Sequence, residues 1–110
     1  MSNLLKITIL KTCETKPPHP EMGPKTGYTR VQWHCGDGQS YTLHLPGGIF
    51  RDHPDDFTLQ VNSSDFVPEP PLELALPIVH WVIINYIFDD SGNNCKHKKR
   101  EAPPDIIINP

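Results

Sequence analysis

The stretch VQWHCGDGQSYTLHLPGG (31–48) gathers Trp33, His34, Cys35 and His44 around a Gly-rich turn. Thiolate and imidazole are ligands that zinc and copper accept, and a Cys near a His can also form a nucleophile and its base. Register argues against both chemistries. Thr29, Val31, Trp33 and Cys35 alternate with Arg30, Gln32 and His34, and Tyr41, Leu43 and Leu45 alternate with polar residues. A two-residue Asp37-Gly38 turn would set Trp33 against Thr42 and Val31 against His44, mixing the faces. A three-residue Gly36-Asp37-Gly38 loop, with Gly38 left-handed in a bulged turn, removes the conflict. Trp33 then faces Tyr41 and Val31 faces Leu43, while His34 pairs with Ser40, Gln32 with Thr42 and Arg30 with His44. His34 and His44 would stand roughly 13 Å apart at about 3.3 Å per residue, whereas zinc ligands must converge to about 2 Å of one ion. Cys35 points inward as a small buried hydrophobe. The pattern predicts a hairpin without a metal or catalytic role.

Other clusters are tested the same way. CKHKKR offers Cys95 and His97, but the spacing is one residue shorter than a blue-copper loop, Lys crowds both sides, and no Met follows. The only methionines are Met1 and Met22. Adventitious zinc or nickel capture is all this pair supports, and no metal or cofactor is assigned. RDHPDD groups His53 with Asp52, Asp55 and Asp56, yet it lacks the fixed pattern of a calcium loop and has ordinary turn composition. His80 lies in an apolar run and reads as a satisfied interior or interface histidine. The run Lys96, His97, Lys98, Lys99, Arg100 is the sharpest charge feature. It would suit phosphate or an acidic partner, or protect a sheet edge from pairing; no aromatic interleaves it for base stacking. No GxSxG, P-loop, HExxH or paired CxxC motif occurs. The expectation is a protein that is not an enzyme.

The elements that must position these residues are strands. Leu5, Ile7 and Ile9 alternate with Lys6 and Thr8, which predicts a first strand. KPPHPEMGPKTG (16–27) has turn and breaker composition and predicts a loop. FTLQV (57–61) is a short strand, and VPEPPLELALP (67–77) is extended or holds one helical turn around Glu73. IVHWVIINYIFDD is apolar in both alternating sets, which predicts a central strand covered on both faces at one end. DIIIN ends the chain as a last strand. The expected fold is all-β: an antiparallel β-sandwich of immunoglobulin-like or cupredoxin-like architecture, with six to seven strands and Pro-rich loops, formed as a single domain over 1–110.

Composition narrows the class. The chain of 110 residues carries a formal net charge of −3, which gives no global field toward nucleic acid or an anionic membrane. Its 13 Pro favour short strands joined by stiff loops. The three Cys are odd in number and irregularly spaced, which fits a reducing, cytoplasmic setting better than a disulfide scaffold. MSNLLKITILKTC has an apolar flavour before a Cys. However, Lys6 and Thr8 interrupt the run, Lys11-Thr12 does not suit a lipobox, and the run is too short to span a membrane.

The frame QWHCGDGQSYTLHLPGGIF, the late apolar strand and the terminal PPDIIINP resemble small single-domain bacterial β-sandwich proteins of unassigned function. The likeness rests on Trp33, Cys35, Tyr41, Leu43, Asp105 to Ile108 and Pro110. The chain departs from that pattern in its longer SGNNCKHKKREAPP and in lacking Ser-Pro-Phe after the second hairpin strand. The resemblance implies a β-sandwich and carries no activity.

The reading that follows is a non-enzymatic interaction module docking another protein, or a second copy, through Pro-rich loops or a sheet edge. An apolar patch left exposed around Ile49, Phe50 and Phe66, or along 78 to 88, would mark the surface. Binding of an anionic polymer such as nucleic acid through the basic run Lys96 to Arg100 (Lys96, Lys98, Lys99 and Arg100) is the alternative. A metal-binding or electron-transfer, cupredoxin-like domain using Cys95, His97 and a distant His is the third.

Overall fold

The alternation of Leu5, Ile7 and Ile9 with polar residues becomes β1 (Leu4–Ile9) in the computed structural model, with those three side chains buried. The structure describes residues 3–10, 15–36, 40–62, 65–85, 87–90 and 105–110; for 85 and 87–90 it describes the backbone alone. The further strands are β2 (Thr15–Lys16), β3 (Glu21–Met22), β4 (Arg30–Cys35), β5 (Tyr41–Leu45) and β6 (Phe57–Val61). They are followed by β7 (Val67–Glu73), β8 (Val82–Asn85), β9 (Ile87–Asp90) and β10 (Asp105–Ile108). The described residues contain no helix, so the fold is all-β, with a radius of gyration of 13.4 Å.

Three small sheets have the orders β2-β1-β4-β7, β3-β10-β8 and β6-β5-β9. The first two are mixed: β1 runs parallel to β4, and β3 runs parallel to β10. The expectation of purely antiparallel pairing is corrected here. The Pro-rich stretch between β1 and β4 is long enough to act as a crossover, which parallel neighbours require. That stretch is also not entirely loop. Pro20 lacks an N–H, but its carbonyl accepts from Ile107 N at 3.0 Å, and the Met22 carbonyl accepts from Asn109 N at 2.8 Å. Proline therefore leads into β3 as an acceptor without interrupting its ladder.

The hairpin between β4 and β5 does not form. The faces are those that alternation predicts, with Val31, Trp33, Cys35, Tyr41, Leu43 and Leu45 all buried. The partners differ: Trp33 pairs with Ile7 on β1 and Val67 on β7, whereas Tyr41 pairs with Val61 on β6 and Asp90 on β9. Each strand has both edges occupied, so the chain leaves one sheet and enters another between them. Cys35 N donates to the Asn62 carbonyl at 3.1 Å, tying the end of β4 to the residue after β6. Side chains from all three sheets, together with Phe50 and Leu74, form one apolar cluster.

β7 is extended throughout and has no helical turn at Glu73. Among the described residues it is an edge strand of its sheet, the position that tolerates Pro. Val31 pairs with Leu72 and Trp33 with Val67, so the Pro68–Pro71 stretch lies outside the ladder and bows away from β4. Gln32, expected on the wet face, is instead buried and donates from Nε2 to the Pro68 carbonyl at 2.8 Å.

The apolar run 78–88 is not one central strand. It divides into β8, which pairs with β10, and β9, which pairs with β5 in a different sheet; both lie at sheet edges among the described residues. Residues 78–81 are outside any strand. With both alternating sets apolar, the pattern could not reveal that the two halves serve different sheets.

Candidate functional site

The surface feature built by this topology is an apolar row at β8. Ile84 enters the core, which turns Ile83 outward, and Ile83 pairs with half-buried Ile107 on β10. The chain leading into β8 continues that exposure. Val79, Trp81 and Ile83 are exposed by 72%, 66% and 60%, and Leu76 by 54%. These values are far from those of core residues, and the row lies beside an edge strand. Edge strands carry backbone donors and acceptors that a further strand can use. No Asp, Glu, Lys or Arg occurs between Leu76 and Phe88. The protecting charges that commonly guard an edge are therefore missing from this segment. Pro77 stands only at its beginning.

No family model, curated protein or solved structure matches the chain.

The residues singled out from the sequence fall in different environments. Phe50 is not part of a surface: it is 2% exposed and bridges Leu74, which places it in the core. Its neighbour Ile49 is partly buried against that core, and its carbonyl accepts from Ala75 N at 3.0 Å. The Gly- and Pro-rich sequence around Phe50 disguised an anchoring point as a loop. Phe66 is half-buried, with the His34 ring 4.8 Å away between centroids and Lys6 Nζ 5.0 Å from its ring. Lys96, Lys98, Lys99 and Arg100, as well as Cys95 and His97, lie outside the described residues.

His34 and His44 occupy strands of different sheets. Among the described residues no group of three or more His, Cys, Asp or Glu side chains is gathered to hold a metal ion. In RDHPDD, Asp56 accepts from Gly47 N at 2.8 Å, and the His53 ring stacks on Phe57 at 3.9 Å. Both contacts organise the turn. His80, expected as an interior or interface histidine, is exposed in the chain leading into β8, so it is not an interior residue. No described helix is long and apolar enough to cross a membrane.

Of the exposed row, Val79, Trp81 and Ile83 fall within the segment 78 to 88 that the sequence marks as a possible surface. The individual residues were hidden by the equally apolar set Ile78, Val82 and Ile84. A single local signal, Pro77 at the start of the run, is compatible with an edge position.

Proposed function

We propose that the protein is a non-enzymatic interaction module, and that its partner is a second copy of the chain laid against β8. The observation carrying this reading is the exposure of Val79, Trp81 and Ile83 beside an edge strand. A two-fold contact is self-complementary, so each copy presents the same segment to the other. The absence of charged residues from 76 to 88 means that antiparallel copies meet there without like-charge repulsion. Strand addition would satisfy backbone groups while the outward side chains bury one another. A sandwich of immunoglobulin-like or cupredoxin-like plan is the corresponding architecture, supported by the common core that the three sheets share.

Sedimentation velocity across a wide concentration range tests the proposal. The expected result is a concentration-dependent dimer that Ile83→Lys dissociates while the far-ultraviolet circular dichroism stays unchanged. A wild-type monomer at every concentration would remove the self-pairing reading.

A further inference from the structure

The bow in β7 creates a second feature on another part of the molecule. A cavity of about 440 Å³ lies between the bowed stretch and the turn at 51–53. This is within the roughly 300–1,000 Å³ typical of small-molecule sites. Pro68, Pro70 and Pro71 contribute a wall with little conformational freedom to lose on binding. The turn is fixed to the end of β7 by Arg51 N donating to the Glu73 carbonyl at 2.8 Å, and is closed on itself by His53 N donating to the Phe50 carbonyl at 3.2 Å. Asp52 in that turn has a φ of 67°, a left-handed conformation that Asp adopts more readily than most residues.

The charges lining the cavity have a definite remainder. Arg51 pairs with Glu73. Arg30 is oriented from behind: its Nε donates to Asn3 Oδ1 at 2.7 Å, and Asn3 Nδ2 donates to Thr29 Oγ1 at 2.8 Å. No described residue holds the two terminal nitrogens of Arg30, which leaves a positioned donor fork of the kind that binds carboxylates in two-point fashion. Asp52 and Glu69, both exposed residues, also line the cavity, and neither takes part in the ion pairs formed among the described residues. The unmatched set is one guanidinium and two carboxylates.

We propose that this cavity binds a small zwitterion, an amino acid or dipeptide, with Arg30 receiving its carboxylate and Asp52 and Glu69 its ammonium group. A phosphate dianion is a poorer complement because the two unmatched carboxylates repel it. A simple amine leaves the oriented fork of Arg30 unused. The apolar part of the ligand lies along the proline wall, and the site shares no lining residue with the exposed β8 row.

The test is a titration of the ¹⁵N-labelled full chain, followed by two-dimensional NMR, with leucine and alanyl-leucine. Isocaproate, which has only the carboxylate, and isoamylamine, which has only the ammonium group, serve as controls. Shift changes are expected to cluster at Arg30, Asp52, His53 and Glu69, with the zwitterions binding more tightly than either control. Arg30→Gln should weaken binding by about tenfold or more, as loss of a charged hydrogen-bond partner does. Arg30→Lys, which keeps the charge but loses the fork, should also weaken it, and Glu69→Gln should weaken the zwitterions but not isocaproate. The spectra of the variants away from the cavity report whether the fold is retained. Shift changes centred elsewhere, equal binding of isocaproate and leucine, or no response to either zwitterion at millimolar concentration would overturn the proposal.

Discussion

Gln32 Nε2 donates to the Pro68 carbonyl at 2.8 Å, joining β4 to the part of β7 that has left the ladder. Gln32 is 5% exposed, so its amide has little access to water as an alternative partner. Gln60 provides a contrast within the same protein, because its Nε2 donates to Thr42 Oγ1 at 2.9 Å on an exposed strand surface. Urea unfolding should separate the two. Gln32→Ala is expected to lose about 1–3 kcal/mol, the cost of removing a buried hydrogen-bond partner. Gln60→Ala should stay within about 0.5 kcal/mol, as surface substitutions do. Equal losses would show that the Gln32 bond has no special structural weight.

Gly23 is required by both conformation and space. Its φ is 142°, and a Cβ placed on it would stand 2.3 Å from the Asn109 carbonyl oxygen. The same place holds the end of β10 against β3, through Asn109 N donating to the Met22 carbonyl. Gly23→Ala must therefore move backbone, because no flexible side-chain tip can yield. The expected loss is more than about 1 kcal/mol, beyond the ordinary effect of Ala at a compatible glycine. For a domain near this size each kcal/mol lowers the melting temperature by roughly 4–8 °C. Gly27→Ala is the matched comparison: its φ is 87°, but nothing lies within 4 Å of the added Cβ. A scanning calorimeter should find the smaller loss at Gly27.

What could be read in advance was the facing of side chains, which depends on a local period of two. Leu5, Ile7 and Ile9, Val31, Trp33 and Cys35, and Tyr41, Leu43 and Leu45 all occupy the predicted faces. Pairing is a non-local property, so the same alternation served equally well for a β4–β5 hairpin and for two strands in separate sheets. Phe50 was obscured differently: turn composition describes the backbone around it, while its burial follows from Leu74, far along the chain. The charged cavity was legible only in fragments. Arg30, Arg51 and Glu69 belong to separate segments, and the bow that brings them together depends on where β7 loses register with β4.

Cys35 is fully buried and its sulfur is a thiol. Burial denies a reagent access to the thiolate, so alkylation must proceed through opening of the structure. Iodoacetamide treatment followed by peptide mass mapping is expected to leave the Cys35 peptide unmodified under native conditions. Added urea should raise its labelling in step with unfolding. Labelling in buffer at the rate of an unfolded peptide would contradict its position in the core.

Ile83 and Ile84 are adjacent residues of the same type with opposite environments. Ile83 is 60% exposed and Ile84 is 1% exposed. Truncating Ile84 removes packed atoms from a core that can collapse only in part, so Ile84→Ala should cost about 2–5 kcal/mol. Ile83→Ser removes apolar surface that the monomer leaves in water. Its expected effect on the unfolding free energy of isolated monomer is within about 0.5 kcal/mol. Its effect on self-association should be much larger, because a strand added at the edge brings cross-strand side chains against the outward Ile83. Urea unfolding at low protein concentration and sedimentation at high concentration therefore separate the two roles. If Ile83→Ser destabilises the monomer as strongly as Ile84→Ala does, Ile83 belongs to the internal packing and its exposed row cannot serve as a docking face.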